Sequence, residues 1–360
     1  MNEGTVRLAT RGSTLARRQA ATVREALSSR RIDVELVEVE TRGDRITDEL
    51  IHRLGRTGAF VRALDERVLS GDADAAVHSM KDMPTEFPAE LVVAGVPERA
   101  PAGDVLVTPG GTSLAELPHG ATVGTSSLRR GAQLSNARPD LEVEPLRGNV
   151  DTRLEKLLAP SLQREHQRRL DAESDEAFDE DVSFDRTAEE WFDDLSELER
   201  AALGRELDRE YDAIVLAEAG LRRSGLFRSL ETERLDRSQF VPSPGQGAIA
   251  VTASDPEVIE AIRSRIDHPP TRVATTVERT VLEELGGGCI APIGVNALVQ
   301  GEYVHTRAQV SDVDGETVIN RTRDLPVESH AQAAAAFADD LADRGAAELI
   351  EEARDRAEGA

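Results

Sequence analysis

Strand-like and helix-like segments alternate twice along this chain, and that rhythm narrows the possible folds more than any other feature. In the first hundred residues Thr5–Thr10 (TVRLAT) reads as a strand and Leu15–Leu27 as a helix, with Ser13 placed to cap it. Val34–Thr41 alternates apolar and polar residues as a strand does. Phe60–Leu69 sets Phe60, Val61, Leu64 and Val68 at helical spacing. Ala73–Ser79 and Leu91–Val96 read as further strands. Such a βαβαβ run predicts an α/β sheet with helices on its faces.

A second run begins near Asp104 with DVLVTP and ATVGTSS, followed by a helix over Leu128–Ala137 and by LEVEPLRG. Its later strand is Asp212–Leu216. GAIAVT (Gly247–Thr252) comes after PSPGQ, and a helix over Pro256–Ile266 comes next. From about Pro269 the pattern changes to a helix (Thr271–Leu285), a GGGC segment, strands near Val295–Val299, Val304–Val310 and Thr317–Asn320, and one terminal helix over Ser329–Arg354. A chain of 360 residues has room for two or three domains, and the pattern predicts two α/β units and a smaller α+β unit. Residues 159–210 differ in composition, with 18 acidic residues and 7 arginines. They read as an acidic insert: a loop (ASDEAFDED), then a helix with Trp191, Leu195, Leu198 and Ala202 on one face.

Charge and cysteine usage exclude several classes. The formal net charge is −25, which disfavours whole-molecule attraction to nucleic acid or anionic lipid, though not a local basic cleft. The single cysteine, Cys289, excludes an intrachain disulfide framework and a multi-cysteine zinc site, and neither His78 nor His268 shows metal-ligand spacing. MNEGTVRLATRGS lacks the pattern of a secretory signal, and no apolar stretch is long enough for a membrane span. The expectation is a soluble, cytoplasmic protein without a membrane or nucleic-acid partner. Its acid excess fits solubility at high salt. Of 43 basic residues only Lys81 and Lys156 are lysines, so a compact ammonium at Lys81 stands out.

Cationic residues cluster beside glycines and hydroxyls at the ends of expected strands. The groups are Arg11-Gly12-Ser13, Thr41-Arg42-Gly43-Asp44, Ser79-Met80-Lys81-Asp82, Gly124-Thr125-Ser126-Ser127-Leu128-Arg129-Arg130, and Arg147-Gly148-Asn149-Val150-Asp151-Thr152-Arg153. Ligands of open α/β sheets bind outside the carboxyl ends of the strands. Guanidinium forks bind carboxylates or phosphates bidentately, so a convergent set implies a polyanionic ligand. Any one of these arginines could instead be an ordinary surface ion-pair partner. Asp82 could stabilise a developing cation or form a structural salt bridge. Cys289, after three glycines, could be presented to a cavity or serve as a small buried hydrophobe.

Taken together, RLATRGSTLARRQA, TRGD, AVHSMKDMPTEFP, VGTSSLRR, LRGNVDTRL, YDAIVLAEAGLRR, PGQGAIAV and LGGGCIAPIG closely resemble the motifs of the porphobilinogen deaminase (hydroxymethylbilane synthase) family, in the family's order. The resemblance spans roughly residues 7 to 294 apart from the acidic insert. It implies two periplasmic-binding-protein-like α/β domains flanking a cleft, residues 1–100 with 241–267 and residues 101–240, plus a small α+β domain, 268–360. The implied activity is that of a transferase joining four porphobilinogen units into linear hydroxymethylbilane, with release of ammonia, in tetrapyrrole biosynthesis. The implied cofactor is dipyrromethane, held by a thioether to Cys289.

By position in the matching motifs, Ser79, Lys81, Thr125, Ser127, Arg129, Arg130 and Arg153 resemble contacts to cofactor carboxylates. Arg11, Ser13, Gln19, Arg147 and Arg223 resemble contacts to porphobilinogen or the growing linear oligopyrrole. Asp82 resembles the catalytic group that stabilises the cationic azafulvene left when the amine departs. The resemblance also suggests a monomer. Leu54–Phe60 resembles a mobile active-site loop in which a lysine commonly precedes the second glycine. Here that position is Thr57, with Arg56 beside it. Two other readings fit parts of the pattern: a non-catalytic module of the same fold that captures a polyanionic small ligand, and a nucleic-acid binder. Low aromatic content, 3%, counts against the latter.

Overall fold

The computed structural model describes residues 4–30, 32–39, 59–85, 88–173, 184–286 and 291–358. The first stretch forms β1 (Gly4–Arg11), α1 (Thr14–Leu27), β2 (Ile32–Val39), α2 (Ala59–Leu69), β3 (Ala75–Ser79), a 3₁₀ turn (Met80–Asp82) and β4 (Val92–Gly95). Then come β5 (Asp104–Val107), β6 (Thr122–Gly124), α3 (Leu128–Ala137), β7 (Glu142–Glu144), α4 (Val150–Glu173), α5 (Ala188–Asp194), α6 (Glu197–Leu203), β8 (Ala213–Ala217), α7 (Glu218–Arg223) and β9 (Thr232–Arg234). The remainder is β10 (Ile249–Ala253), α8 (Pro256–Ile266), α9 (Pro269–Glu284), β11 (Ile293–Gln300), β12 (Tyr303–Ser311), β13 (Val318–Pro326), α10 (His330–Leu341) and α11 (Ala347–Glu358).

Two five-stranded sheets share one topology. The first has the order β2-β1-β3-β10-β4 and the second β7-β6-β8-β5-β9. In each, the first three strands are parallel and the fourth runs antiparallel to both neighbours. Each antiparallel strand follows a crossover from the other sheet. β5 follows β4 into the second sheet, and β10 follows β9 back into the first. This doubled α/β arrangement with a small third sheet is the fold class that the resemblance implied.

The strand sequences follow from burial on both faces. Leu8 packs with Val23, Val251 and Ile262 towards α1 and α8, whereas its neighbour Ala9 packs with Leu64 and Val68 towards α2. A strand covered on both sides reads as a continuous apolar run. That explains AAVHS in β3 and AIVLA in β8, each buried at its first four positions. Fully burying a Leu, Ile or Val side chain contributes roughly 1.5–3 kcal/mol.

The third sheet, β11-β12-β13, is antiparallel, and its core joins Val277 and Val281 of α9 to Val295, Val310, Phe337 and Leu341. It docks on α3 through Gln133 Nε2, which donates to Gln309 Oε1 at 2.6 Å, and Asn136 Nδ2, which donates to the Gly315 carbonyl at 3.0 Å. Glu278 of α9 is completely buried. It accepts both arms of Arg99 (2.7 and 2.9 Å), the backbone N–H of Gly245 (2.7 Å) and that of Ala297 (2.8 Å). One carboxylate thus ties both crossovers to the third sheet.

Three expectations need correction. The terminal segment is not one helix: α10 and α11 are separated by Ala342–Ala346, where Gly345 has φ +100°, a conformation that L side chains rarely adopt. The change of composition at residue 159 is not a structural boundary either, because α4 runs unbroken from Val150 to Glu173. The segment expected as one helix around Trp191 is two. Capping boxes Thr187–Glu190 and Ser196–Glu199 start separate seven-residue helices, because each Ser/Thr side chain satisfies an otherwise free N–H of a new first turn. Within this region Arg169 is buried between the rings of Phe184 and Trp191, at 4.3 and 5.4 Å from their centroids.

Candidate active site

The returning crossover, Gly245-Gln246-Gly247, is where residues singled out along the sequence meet. Gly245 (φ +72°) packs against Met80 and Lys81 so closely that a Cβ there would lie 3.2 Å from the Lys81 backbone nitrogen. Gly247 (φ +85°) leaves no room at all, since its Cβ would lie 2.5 Å from the Ala100 carbonyl on the outgoing crossover. Between them, Gln246 Nε2 donates to the Ala102 carbonyl (2.5 Å) and to Asp104 Oδ1 (2.8 Å). The Gly247 carbonyl accepts from Arg223 Nη2 at 2.8 Å. Three residues therefore bring the 3₁₀ turn after β3, the start of β5 and the end of α7 into one neighbourhood.

Asp82 and Lys81 occupy that 3₁₀ turn, and Ser79 precedes it at the end of β3. Lys81 Nζ lies 3.7 Å from Asp82 Oδ1, and both side chains are exposed. A loose pair of this kind leaves the Asp82 carboxylate available to solvent or ligand. The turn is steadied from behind by Arg279, whose guanidinium donates to the Met83 and Pro84 carbonyls.

Across the crossover, β6 delivers Thr125, Ser126 and Ser127 to the start of α3. Ser127 caps that helix by accepting from the Arg130 N–H, and Thr125 Oγ1 accepts the Ser127 N–H at 3.2 Å. Arg129 and Arg130 are buried and share Asp104. Arg129 Nη2 donates to Asp104 Oδ2 (2.8 Å), while Arg130 Nη2 donates to Oδ1 (2.8 Å). Burial pushes the Asp104 carboxyl up, but the two guanidiniums outweigh it and hold its pKa down at about 2. Arg129 is further engaged by Gln133 Oε1 and the Val241 carbonyl, each at 2.8 Å. Its Nε is buried without an acceptor among the described residues.

Arg153 and Arg223 are different. Neither has a carboxylate partner among the described residues: Arg153 Nε donates to the Gly148 carbonyl (2.8 Å), Arg223 to Gly247. Burial lowers Arg153 to about 10, and the positive charge of Arg130 adds to the effect. Burial also lowers Arg223. Desolvated cations without a counter-charge favour an anionic ligand. Arg11 and Ser13 lie at the β1–α1 junction, where Ser13 caps α1. Gln19 is buried on α1 and Arg147 precedes α4 at half-burial.

Cys289, the Thr41–Asp44 group and residues 54–58 with Arg56 and Thr57 lie outside the described residues. Sequence reading missed the polar groups that organise the site: Asp104, Gln133, Gln246 and Glu278. The signals available were a carboxylate opening an apolar strand (DVLV) and a glutamine between two glycines (PGQG).

The donor set fits a ligand bearing several carboxylates, such as a dipyrromethane. Among the described residues, Arg129 Nε is an orphaned buried donor, and Arg153 and Arg223 are desolvated without counter-charge. Among the described residues, no helix is long and apolar enough to cross a membrane.

Comparison with known proteins agrees with this geometry. The family model for "porphobilinogen deaminase, dipyromethane cofactor binding domain" matches residues 6–165 and 200–260, and that for the "porphobilinogen deaminase, C-terminal domain" matches 273–343. The unmatched residues 166–199 lie within the acidic stretch. A probable porphobilinogen deaminase of Halobacterium salinarum is 52% identical, covering 99% of this chain and 100% of the relative. One from Methanococcoides burtonii is 37% identical (96% of each chain), and the porphobilinogen deaminase of Campylobacter hominis is 33% identical (98% and 99%). Among solved structures, the methionine binding protein MetQ is 12% identical with a TM-score of 0.37, covering 72% of this chain and 89% of its own. With both family models matched and relatives aligned along nearly its whole length, the chain belongs to the porphobilinogen deaminase family.

Proposed function

We propose that this protein is a hydroxymethylbilane synthase, a transferase that joins four porphobilinogen molecules head to tail and releases ammonia at each addition. The observation that carries the reading is the meeting of Lys81–Asp82, Arg130 and Arg223 around Gly245–Gly247, together with the desolvation of Arg153. Each porphobilinogen brings an acetate and a propionate, so each addition brings two carboxylates for guanidinium and ammonium partners.

Ser79, Lys81, Thr125, Ser127, Arg129, Arg130 and Arg153 are the residues proposed to hold the dipyrromethane, with Cys289 as its thioether anchor. When bound, that group supplies the pyrrole carbon nucleophile. Arg11, Ser13, Gln19, Arg147 and Arg223 are proposed to orient the carboxylates of porphobilinogen and of the lengthening chain. Asp82 is proposed to face the pyrrole nitrogens, stabilise the positive charge that develops on the substrate as its amine leaves, and take part in proton movement. Positioning and charge stabilisation are then the protein's main contributions. Residues 1–100 with 241–267, residues 101–240 and residues 268–360 are read as two lobes and a cysteine-bearing unit, acting as a monomer in the cytoplasm. The strand exchange between the two five-stranded sheets supports that division.

Intact-mass measurement of the purified chain, paired with a porphobilinogen consumption assay, tests the proposal. A covalent two-pyrrole adduct with formation of a linear bilane supports it. An unmodified mass with no bilane overturns it in favour of a binding module. Salt-sensitive binding of nucleic acid in place of turnover would favour the third reading.

A further inference from the structure

Arg18, which no motif argument singled out, makes a direct bond between the two halves of the proposed cleft. It lies exposed on α1, one residue before Gln19. Its Nη1 donates to the backbone carbonyl of Arg223 at 2.9 Å, across 205 residues of sequence. The same nitrogen would lie 3.5 Å from a Cβ at Gly225.

The acceptor explains the contact. α7 is only six residues long and ends at Arg223. The last carbonyls of a helix have no intrahelical partner and carry the negative end of its dipole. A guanidinium is well suited to satisfy one of them. The same Arg223 sends its side chain back to the Gly247 carbonyl on the returning crossover. Arg223 is therefore held at two points, by Arg18 on its backbone and by Gly247 on its guanidinium.

We infer that Arg18 is a positioning residue: by capping α7 from the opposite half of the cleft, it sets the place from which Arg223 engages porphobilinogen carboxylates. The inference rests on the proposed function, in which Arg223 touches substrate. Arg18 acts through a neutral carbonyl, so its contribution is a matter of geometry and not of long-range attraction for an anionic substrate.

A double-mutant cycle on the cofactor-loaded enzyme tests this. Arg18→Ala should raise KM for porphobilinogen by about 2- to 10-fold, the range expected for one hydrogen bond, and leave kcat within about twofold. The defect should be the same at about 0.1 M and about 2 M KCl, where charge attraction is screened away. Arg18→Lys, which keeps a donor of similar reach, should recover most of it. Arg223→Ala should raise KM more, and the double variant should be no worse than Arg223→Ala alone. If Arg223→Ala leaves KM unchanged, the substrate role of Arg223 fails. If Arg223→Ala raises KM but the Arg18→Ala effect is absent, adds fully to it, or vanishes in high salt, the positioning role is overturned and the substrate role stands.

Discussion

Arg130 Nη2 lies 2.8 Å from Asp104 Oδ1, with both side chains buried, and Arg129 occupies the other oxygen of the same carboxylate. Two cations on one anion leave a net positive charge at the start of α3.

Asp104→Asn should remove that counter-charge and destabilise the protein by about 3–5 kcal/mol, since two buried guanidiniums lose their partner. The pH dependence has a definite sign. The folded-state pKa is depressed, to about 2, so the contribution is present above the unfolded value near 4 and is lost as pH falls from about 4 to about 2. It amounts to about 2 kcal/mol. Thermal unfolding of both proteins across that range checks this: the stability gap between wild type and variant should narrow by about 2 kcal/mol as pH falls.

Asp82→Ala should reduce bilane formation by roughly 100-fold or more while leaving thermal unfolding nearly unchanged. The carboxylate is exposed, and its 3.7 Å pairing with Lys81 contributes little to folding. Steady-state turnover and Tm, measured on one preparation, separate the two effects. Near-normal turnover would remove Asp82 from the chemistry.

Cys289→Ser should yield protein with the mass of the bare chain, because an alcohol oxygen would not replace the sulfur of the proposed thioether. Mass spectrometry of denatured protein reads this directly. An adduct that survives in the variant would place the anchor elsewhere.

Gly247→Ala should destabilise the fold by about 1–3 kcal/mol, since a left-handed backbone and a 2.5 Å approach to the Ala100 carbonyl both oppose a Cβ. Denaturant unfolding gives the value. A change below about 0.5 kcal/mol would mean that the two crossovers separate easily.

Local pattern made much of the architecture readable. The helix expected over Leu128–Ala137 has those bounds, because Ser127 supplies a start signal that needs no tertiary information. The strand at Val34 and the helix at Phe60 were legible for the same reason, through period-2 and period-3.6 spacing. The partners of the site were not. Asp104 is one acid among 68, and only the packing of β5 against α3 distinguishes it. Gln246 matters because two crossovers touch, a relation between residues 142 positions apart. Gly345 could have warned of the break between α10 and α11, but glycine is tolerated within a helix pattern until its φ is known.

The exchange of strands between the two sheets has a consequence for biosynthesis. A ribosome delivers β1 to β4 early, but the place between β3 and β4 stays vacant until Ile249–Ala253 has been made. The amino-terminal half must therefore wait, with β3 and β4 lacking their shared neighbour, while the whole intervening half is translated. Nascent chains halted before residue 249 should be markedly more protease-sensitive in their first hundred residues than chains halted after 253.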